Sequence, residues 1–218
     1  PPYSTGIGRC QHIISFRVQL GVIPNLTRNL IPILYMWRKF CGWLLRTMGW
    51  TAVDPVAPDD KCIILGVPHT SFWDFVISYL YYESVGGKPY CMIKGELFWG
   101  PLGWLLRKLG GIPVDRKKGS NVALSVIKEM KAQKVVHLAL APEGTRKPVK
   151  RWKTGFHTIA RQVGCPVYMG YFDWGTKRVS RGQKVELTDD ARADMERIQA
   201  LYEEMHLVGK HPEKYITH

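Results

Sequence analysis

The stretch "KCIILGVPHTSFWDF" (residues 61–75) joins an apolar run to a polar turn and then to the start of a helix. The run at 61–67 is short and rich in β-branched residues, which is typical of a buried strand. A helix is predicted to follow at 75–82. The stretch therefore predicts one strand–turn–helix unit of an α/β fold, with His69 and Asp74 in or beside its turn.

The same alternation continues along the rest of the chain. Further strands are predicted at 89–94, 134–141, 166–173 and 183–188, and helices at 97–110, 120–132, 154–163 and 189–207. Strands that alternate with helices favour a mostly parallel sheet flanked by helices. Because no repeat or clear linker is present, the sequence predicts a single α/β domain at 56–218, preceded by an N-terminal helical segment at 1–55.

The N-terminal segment is basic and rich in aromatic residues. Residues 1–53 contain no Asp or Glu, and their basic residues are Arg9, Arg17, Arg28, Arg38, Lys39 and Arg46. One or two short helices are predicted at 28–50, with a narrow polar face formed by Arg38, Lys39, Gly42 and Arg46. Because tryptophans accompany this face, the pattern predicts amphipathic helices at a membrane interface. The alternative is a core helix whose tryptophans pack inward.

The formal net charge of the 218-residue chain is +13, and its acidic residues gather near the C-terminus. This asymmetry predicts an anionic partner, which is a lipid head group, nucleic acid or a phosphorylated substrate. A generally basic solvated surface is the alternative. The sequence contains no helix-turn-helix, RNP or zinc-finger pattern, so a nucleic-acid partner is not expected.

Five cysteines are scattered along the chain without CxxC or metal-ligand spacing. An odd number of cysteines, mostly in apolar runs, favours reduced thiols in an intracellular protein without a structural zinc site. No segment reaches the ~18 uninterrupted apolar residues of a membrane-spanning helix. The apolar run at 30–37 has arginines on its flanks and no small-residue cleavage pattern, which argues against a signal peptide.

His69 and Asp74 permit two interpretations. Five residues correspond to about 500° around a helix, so the side chains meet only if His69 lies in the turn and Asp74 in the first helical turn. A neutral histidine there can take a proton from a substrate hydroxyl while Asp74 holds its tautomer. Equally, Ser71 and Asp74 match a capping box, and an aspartate in a first turn complements the helix dipole. The residues alone leave both interpretations open, and one carboxylate has two oxygens with which to serve both.

Other polar residues also follow predicted strands. Lys94 ends the strand at 89–94, and the run Glu143-Gly144-Thr145-Arg146 follows the strand at 134–141. Ligands of open α/β sheets gather beyond the carboxyl ends of the strands, so these residues are expected to converge with His69. His137, inside a strand, is expected to be a satisfied core histidine.

Two basic stretches accompany these strand ends. Residues 112–118 include Arg116, and residues 141–156 include Arg146. Arginine forks match phosphate geometry, and Gly144-Thr145 offers close backbone approach and a hydroxyl donor. A solvated basic loop is the alternative. No Gly-x-Ser-x-Gly elbow is present and no cysteine lies at a recognisable helix start beside a histidine, which disfavours a covalent acyl-enzyme.

Four blocks in this order resemble the glycerolipid acyltransferase family, typified by lysophosphatidic acid acyltransferases. Residues 69–74 match its H-x4-D motif, and "KGELFWGPLGWLLRKLGGIPVDR" (94–116) resembles its second block. "PEGTR" (142–146) matches the third block, and residues 163–167 match the fourth. The H-x4-D motif alone is common, whereas four blocks at compatible spacing are specific. The resemblance covers about residues 35–175, and it favours catalysis as the role of His69 and Asp74.

The resemblance implies an O-acyltransferase of phospholipid synthesis. Such an enzyme moves a fatty acyl group from acyl-CoA or acyl carrier protein to the hydroxyl of a lysophospholipid such as 1-acylglycerol-3-phosphate, without a covalent intermediate. His69 would be the general base and Asp74 its orienting partner. Substrate binding would fall to Lys94, Arg116, Glu143, Gly144, Thr145 and Arg146. The family is metal-independent, so no metal site and no cofactor beyond the acyl donor are expected.

The resemblance also implies a peripheral or monotopic protein on the cytoplasmic side of an anionic membrane. The N-terminal segment departs from the family pattern, because it lacks long uncharged helices, and the chain is compact. The alternatives are an acyltransferase for a different lipid or a non-glycerol acceptor, and a non-catalytic lipid-binding relative. The aromatic run at 98–106 could line an acyl-chain tunnel, enter the bilayer or pack in the core.

Overall fold

The computed structural model describes residues 24–115 and 121–215, with side chains from residue 32 onward except at residue 121. Within these residues, the main sheet has six strands, which are β2 (Lys61–Leu65), β3 (Pro89–Lys94), β4 (Gly111–Val114), β5 (Val136–Leu140), β6 (Val167–Tyr168) and β9 (Lys184–Val185). Their order across the sheet is β4–β3–β5–β2–β6–β9. All neighbours pair in parallel except β6 and β9, which are antiparallel.

A second, smaller sheet lies beside the main sheet. Its strands are β1 (Thr51–Ala52), β7 (Tyr171–Asp173) and β8 (Arg178–Ser180), in the order β1–β8–β7. An isolated parallel bridge joins Val67 to Tyr171, and the amide of Phe172 donates to the carbonyl of Val67 at 3.1 Å. The bridge brings the first residue of β7 beside the turn that follows β2.

Six α-helices connect and cover the strands in the described part of the chain. They are α1 (Pro24–Thr47), α2 (Phe72–Ser84), α3 (Gly100–Lys108), α4 (Asn121–Ala132), α5 (Gly155–Val163) and α6 (Ala191–Glu204). Short 3-10 turns lie at Gly95–Leu97 and Pro212–Lys214. At the start of α6, the carboxylate of Asp190 accepts the amides of Arg192 and Ala193, which satisfies two donors that the helix leaves unpaired.

The two faces of the main sheet carry separate hydrophobic clusters. Ile63 and Leu65 of β2 pack with residues of α4, α5 and α6, whereas Ile64 packs with α1 and α2 on the other face. This separation follows from the alternation of side chains along a strand. The predicted class, a mostly parallel sheet flanked by helices, is therefore confirmed.

Helix α1 packs on the domain through one side only. Cys41 and Leu45 are buried, and the Arg38 guanidinium donates to the carbonyl of Gly86 at 2.9 Å. The predicted polar face of α1 therefore partly faces the protein. Its opposite side exposes an apolar stripe at helical spacing, formed by Ile33, Met36, Trp37, Phe40 and Trp43.

The core-helix alternative for the N-terminal segment fails at Trp37 and Trp43, which are both exposed, whereas Trp50 at the end of the segment is buried. In the described part of the chain, no helix combines the length and the apolar character that crossing a membrane requires. The structure has one continuous helix from Pro24 to Thr47, with Pro32 inside it, in place of the one or two short helices predicted at 28–50.

The strand predicted at 166–173 is divided between the two sheets. Gly170 lies where the chain leaves the main sheet, and a Cβ on it would come within 2.5 Å of the carbonyl oxygen of Leu65. Only glycine allows this close approach, which lets β6 pair with β2 while β7 pairs with β8. The short strands β1, β4 and β8 were not among the predicted ones, because two to four residues carry little periodicity.

Candidate active site

The candidate site lies at the carboxyl edge of the main sheet, where two neighbouring strands end. The turn after β2 carries His69, and the loop after the adjacent β5 carries Glu143. The Glu143 carboxylate accepts the backbone N–H of His69, with its two oxygens at 2.9 and 3.1 Å. The convergence expected from the two strand ends is thus present, although Glu143 contacts the backbone of His69 and holds the turn.

Asp74 is fully buried in the first turn of α2. Its Oδ2 accepts the amide of Thr70 at 2.8 Å and that of Ser71 at 2.7 Å, while the Ser71 hydroxyl accepts the amide of Trp73 at 3.2 Å. Ser71 and Asp74 therefore form the predicted capping box. These bonds fix the start of α2 and the backbone of the turn together.

The imidazole of His69 also meets this carboxylate. Its Nδ1 lies 3.4 Å from Oδ2 of Asp74, and the His69 side chain is 27% exposed. Contacts between such pairs are often long before substrate binds and tighten in the reacting complex. Oδ2 of Asp74 therefore takes part both in the helix cap and in the contact with His69. The second oxygen, Oδ1, accepts the indole N–H of Trp174 at 2.8 Å.

This arrangement leaves Nε2 of His69 as the nitrogen that can act on a substrate. If Nδ1 carries a proton, it points toward Asp74, and Nε2 then presents a lone pair. A buried carboxylate beside a partly exposed imidazole suits general-base chemistry on a hydroxyl group.

Two other histidines are buried and already hydrogen-bonded. Nδ1 of His137 lies 2.6 Å from the Tyr82 hydroxyl and its Nε2 lies 2.8 Å from the carbonyl oxygen of Asp59. Nε2 of His157 lies 3.2 Å from Oδ2 of Asp194. His137 is thus the satisfied core histidine that its strand position predicts, whereas the histidine after β2 is open to a substrate.

The residues after Glu143 lie at the surface of the same loop. Gly144 has a φ of +68°, and a Cβ there would lie 2.9 Å from the Lys153 side chain. The Thr145 hydroxyl accepts the amide of Lys147 at 3.2 Å, and Arg146 is exposed. The positive φ of Gly144 favours glycine in this loop, and Arg146 is exposed in the same loop.

Of the two predicted basic residues Lys94 and Arg116, the structure describes Lys94 alone. Lys94 is the last residue of β3, at the same edge of the sheet, and its exposed ammonium group lies 3.3 Å from the Glu96 carboxylate. Arg116 lies outside the described residues, and β4 ends two positions before it at Val114.

Trp174, whose indole contacts Asp74, was not predicted from the sequence. It directly follows β7, which pairs in the small sheet, so the rule of strand ends in one sheet does not reach it. The C-terminal segment was missed as well, although the amide of His211 donates to the Thr70 hydroxyl at 3.2 Å. No motif in the sequence marks either contact, because both join residues that are far apart in the chain.

Glu143 is a buried acid beside a second carboxylate. Burial raises its pKa from 4.5 to about 7, the hydrogen bond from the His69 amide lowers the pKa, and the charge of Asp74 raises it. Because the folded state binds the Glu143 proton more tightly than the unfolded chain does, its contribution to stability is complete below about pH 4.5. That contribution is lost as the pH rises through about 7.

Glu143→Gln is expected to remove this pH dependence, because the amide oxygen still accepts the His69 N–H and cannot ionise. The free energy of unfolding of the wild type should fall by about 3 kcal/mol relative to the variant between pH 4.5 and 8. Urea denaturation at several pH values measures the difference. Glu96→Gln, at an exposed position, is the control and should follow the wild type. Parallel curves for Glu143→Gln and the wild type would contradict the assignment.

Comparison with known proteins adds family information to this geometry. A model of the Acyltransferase family matches residues 51–169, which is more than half of the chain and includes His69, Asp74 and Glu143. Among solved structures, the chain is similar to the crystal structure of the 1-acyl-sn-glycerophosphate (LPA) acyltransferase, PlsC, from Thermotoga maritima. The TM-score is 0.58 at 18% sequence identity, with 87% of this chain and 84% of that chain covered, which shows a shared fold. No curated protein sequence matches the chain.

Proposed function

This chain belongs to the Acyltransferase family, and we propose that it transfers a fatty acyl group from an acyl thioester to the hydroxyl of a lysophospholipid. The resemblance found in the four sequence blocks is confirmed by the family match. The observation that carries the proposal is the placement of His69 Nδ1 at 3.4 Å from the buried carboxylate of Asp74, with the imidazole open to solvent. The match at residues 51–169 contains both residues.

The proposed reaction is a direct transfer. Nε2 of His69 takes the proton of the acceptor hydroxyl as the oxygen attacks the thioester carbonyl carbon. The resulting tetrahedral intermediate collapses, the C–S bond breaks, and the thiolate leaves. The imidazolium then returns its proton to the thiolate, so that the products are an ester and a free thiol. Asp74 orients the imidazole and stabilises its charge while the proton is held.

The basic residues around the sheet edge would bind the charged parts of the substrates. Lys94 is exposed at the end of β3, Arg146 is exposed in the loop after β5, and Arg116 follows β4 in the sequence. Phosphate groups occur on a lysophospholipid and on coenzyme A or the prosthetic group of acyl carrier protein, and guanidinium forks bind them well. Gly144 and Thr145 would shape the loop against the acceptor, while Glu143 supports the turn that carries His69.

The proposed lipid acceptor requires access to a membrane. The exposed apolar stripe of α1 supports interfacial binding, as do Trp99, just before α3, and Trp104 of α3, which are 66% and 60% exposed. The core-packing alternative for the aromatic run at 98–106 does not hold at these two positions. Lys108 lies 4.1 Å over the Trp104 ring, a combination of cation and indole that suits an anionic head-group region. We propose that the protein is a peripheral or monotopic protein on the cytoplasmic side of an anionic membrane, and these exposed side chains support the membrane contact.

Replacing Met36, Phe40 and Trp43 together by alanine is expected to weaken binding to anionic vesicles by roughly 100-fold or more, because each buries a large apolar side chain in the interface. Flotation with vesicles of phosphatidylglycerol and phosphatidylcholine measures the change. Leu124→Ala removes an exposed leucine of α4 and serves as the matched control. Equal flotation of the triple variant and the wild type would contradict a role for the stripe.

The test of the proposed activity is thiol release by purified protein with palmitoyl-CoA, palmitoyl carrier protein and a panel of lysophospholipids in anionic vesicles. Thiol release that depends on an acceptor, together with formation of the acylated lipid, would establish the transfer and identify the acceptor class. Vesicle binding without thiol release from any donor and acceptor pair would instead favour a non-catalytic lipid-binding relative.

A further inference from the structure

We propose that Trp174 is a positioning residue for the His69–Asp74 pair, an inference that rests on the proposed acyl transfer. Its indole Nε1–H donates to Oδ1 of Asp74 at 2.8 Å, across 100 positions of sequence. Trp174 lies beyond the family match, which ends at residue 169, so the family pattern assigns it no role.

The indole bond completes the restraint of the Asp74 carboxylate. The amides of Thr70 and Ser71 hold Oδ2, and the indole of Trp174 holds Oδ1. With donors on both oxygens, the carboxylate cannot rotate about its Cβ–Cγ bond without breaking hydrogen bonds in a buried site. The restraint keeps Oδ2 directed at Nδ1 of His69, the contact that a general base needs in order to keep its tautomer.

Trp174 is itself held on several sides. Its ring meets the buried Trp50 ring edge-on, with ring centroids 4.9 Å apart. The ammonium groups of Lys177 and Lys210 lie 4.5 and 4.7 Å from its centroid. The Trp174 amide also donates to the carbonyl of Val208 at 2.8 Å. The small sheet and the C-terminal segment therefore fix the direction of the indole N–H.

The positioning role depends on the indole N–H group, and the test removes that donor. Incorporating β-(3-benzothienyl)alanine at position 174 replaces the indole N–H by sulfur and keeps the ring shape. Trp174→Phe removes the same donor by ordinary mutagenesis. Both changes should lower kcat roughly tenfold or more and leave KM for the thioester and the lysophospholipid unchanged.

Trp73→Phe is the matched control, because the Trp73 ring also lies against Lys210, at 4.8 Å, and is adjacent to Asp74 in sequence. This variant should keep the kcat of the wild type. A wild-type kcat for the benzothienyl protein would overturn the positioning role while leaving the acyl transfer established.

A second measurement does not require turnover, and it separates this inference from the proposed function. In a ¹⁵N–¹H spectrum, the indole resonance of Trp174, assigned by its loss in Trp174→Phe, should shift upfield in Asp74→Asn, because an amide oxygen is a weaker acceptor than a carboxylate. An unchanged resonance would overturn the hydrogen bond and with it the inference.

Discussion

His69→Ala is expected to lower the acceptor-dependent kcat by roughly 10²- to 10⁴-fold, the range that general-base catalysis contributes. Without the imidazole, no group at this turn takes the proton of the acceptor hydroxyl while the oxygen attacks the thioester. The fold should persist, because the side chain is 27% exposed and the bond from the backbone of residue 69 to Glu143 remains in the variant. Thiol release with the identified acceptor measures the loss.

The matched control for His69→Ala is His211→Ala. His211 also lies near the turn, through its backbone bond to Thr70, and its imidazole is 3.6 Å from the Glu213 carboxylate. That variant should keep the acceptor-dependent rate of the wild type. Full activity of His69→Ala would refute the general-base mechanism, whereas loss of the folded state, detected by circular dichroism, would mean that His69 has a structural role.

Much of the fold follows from local sequence patterns. The strand at 89–94 is β3 itself, and the helix predicted at 75–82 is the middle of α2. Such elements are encoded by periodicity and by the residues that end them, which lie within the same short window. The division of 166–173 depends instead on the contact between Gly170 and the carbonyl of Leu65, which no local window contains.

The candidate site divides in the same way. His69 and Glu143 are found because parallel strands end at a common edge, a rule that needs only the order of the elements, and Asp74 is found from its spacing to His69. The bond between Trp174 and Asp74 requires the parallel bridge between Val67 and Tyr171, which brings the second sheet against the turn. That bridge is set by tertiary packing, so Trp174, which holds the second oxygen of Asp74, cannot be predicted from the sequence.

Asp74→Asn is expected to lose both activity and stability, in contrast to His69→Ala. Both carboxylate oxygens accept hydrogen bonds, Oδ2 from the amides of Thr70 and Ser71 and Oδ1 from the indole of Trp174. An asparagine side chain has only one oxygen, so in either orientation its NH2 group would face an N–H donor that it cannot accept. The free energy of unfolding should fall by about 1–3 kcal/mol, and kcat should fall by about 10² or more, because the imidazole loses its anionic partner.

Ser71→Ala separates helix capping from catalysis at the same turn. The change removes the bond from the Trp73 amide to the Ser71 hydroxyl but leaves every contact of Asp74 in place. It should cost about 1 kcal/mol of stability, as loss of an N-cap does, while kcat stays near that of the wild type. Urea denaturation and the thiol-release assay, applied to both variants, measure the two effects separately.

If Asp74→Asn lost stability but kept its kcat, Asp74 would be a capping residue alone, and the buried carboxylate would need no part in the chemistry. If the folded Asp74→Asn protein lost more kcat than Ser71→Ala does, the Asp74 carboxylate would both cap the helix and orient the general base His69.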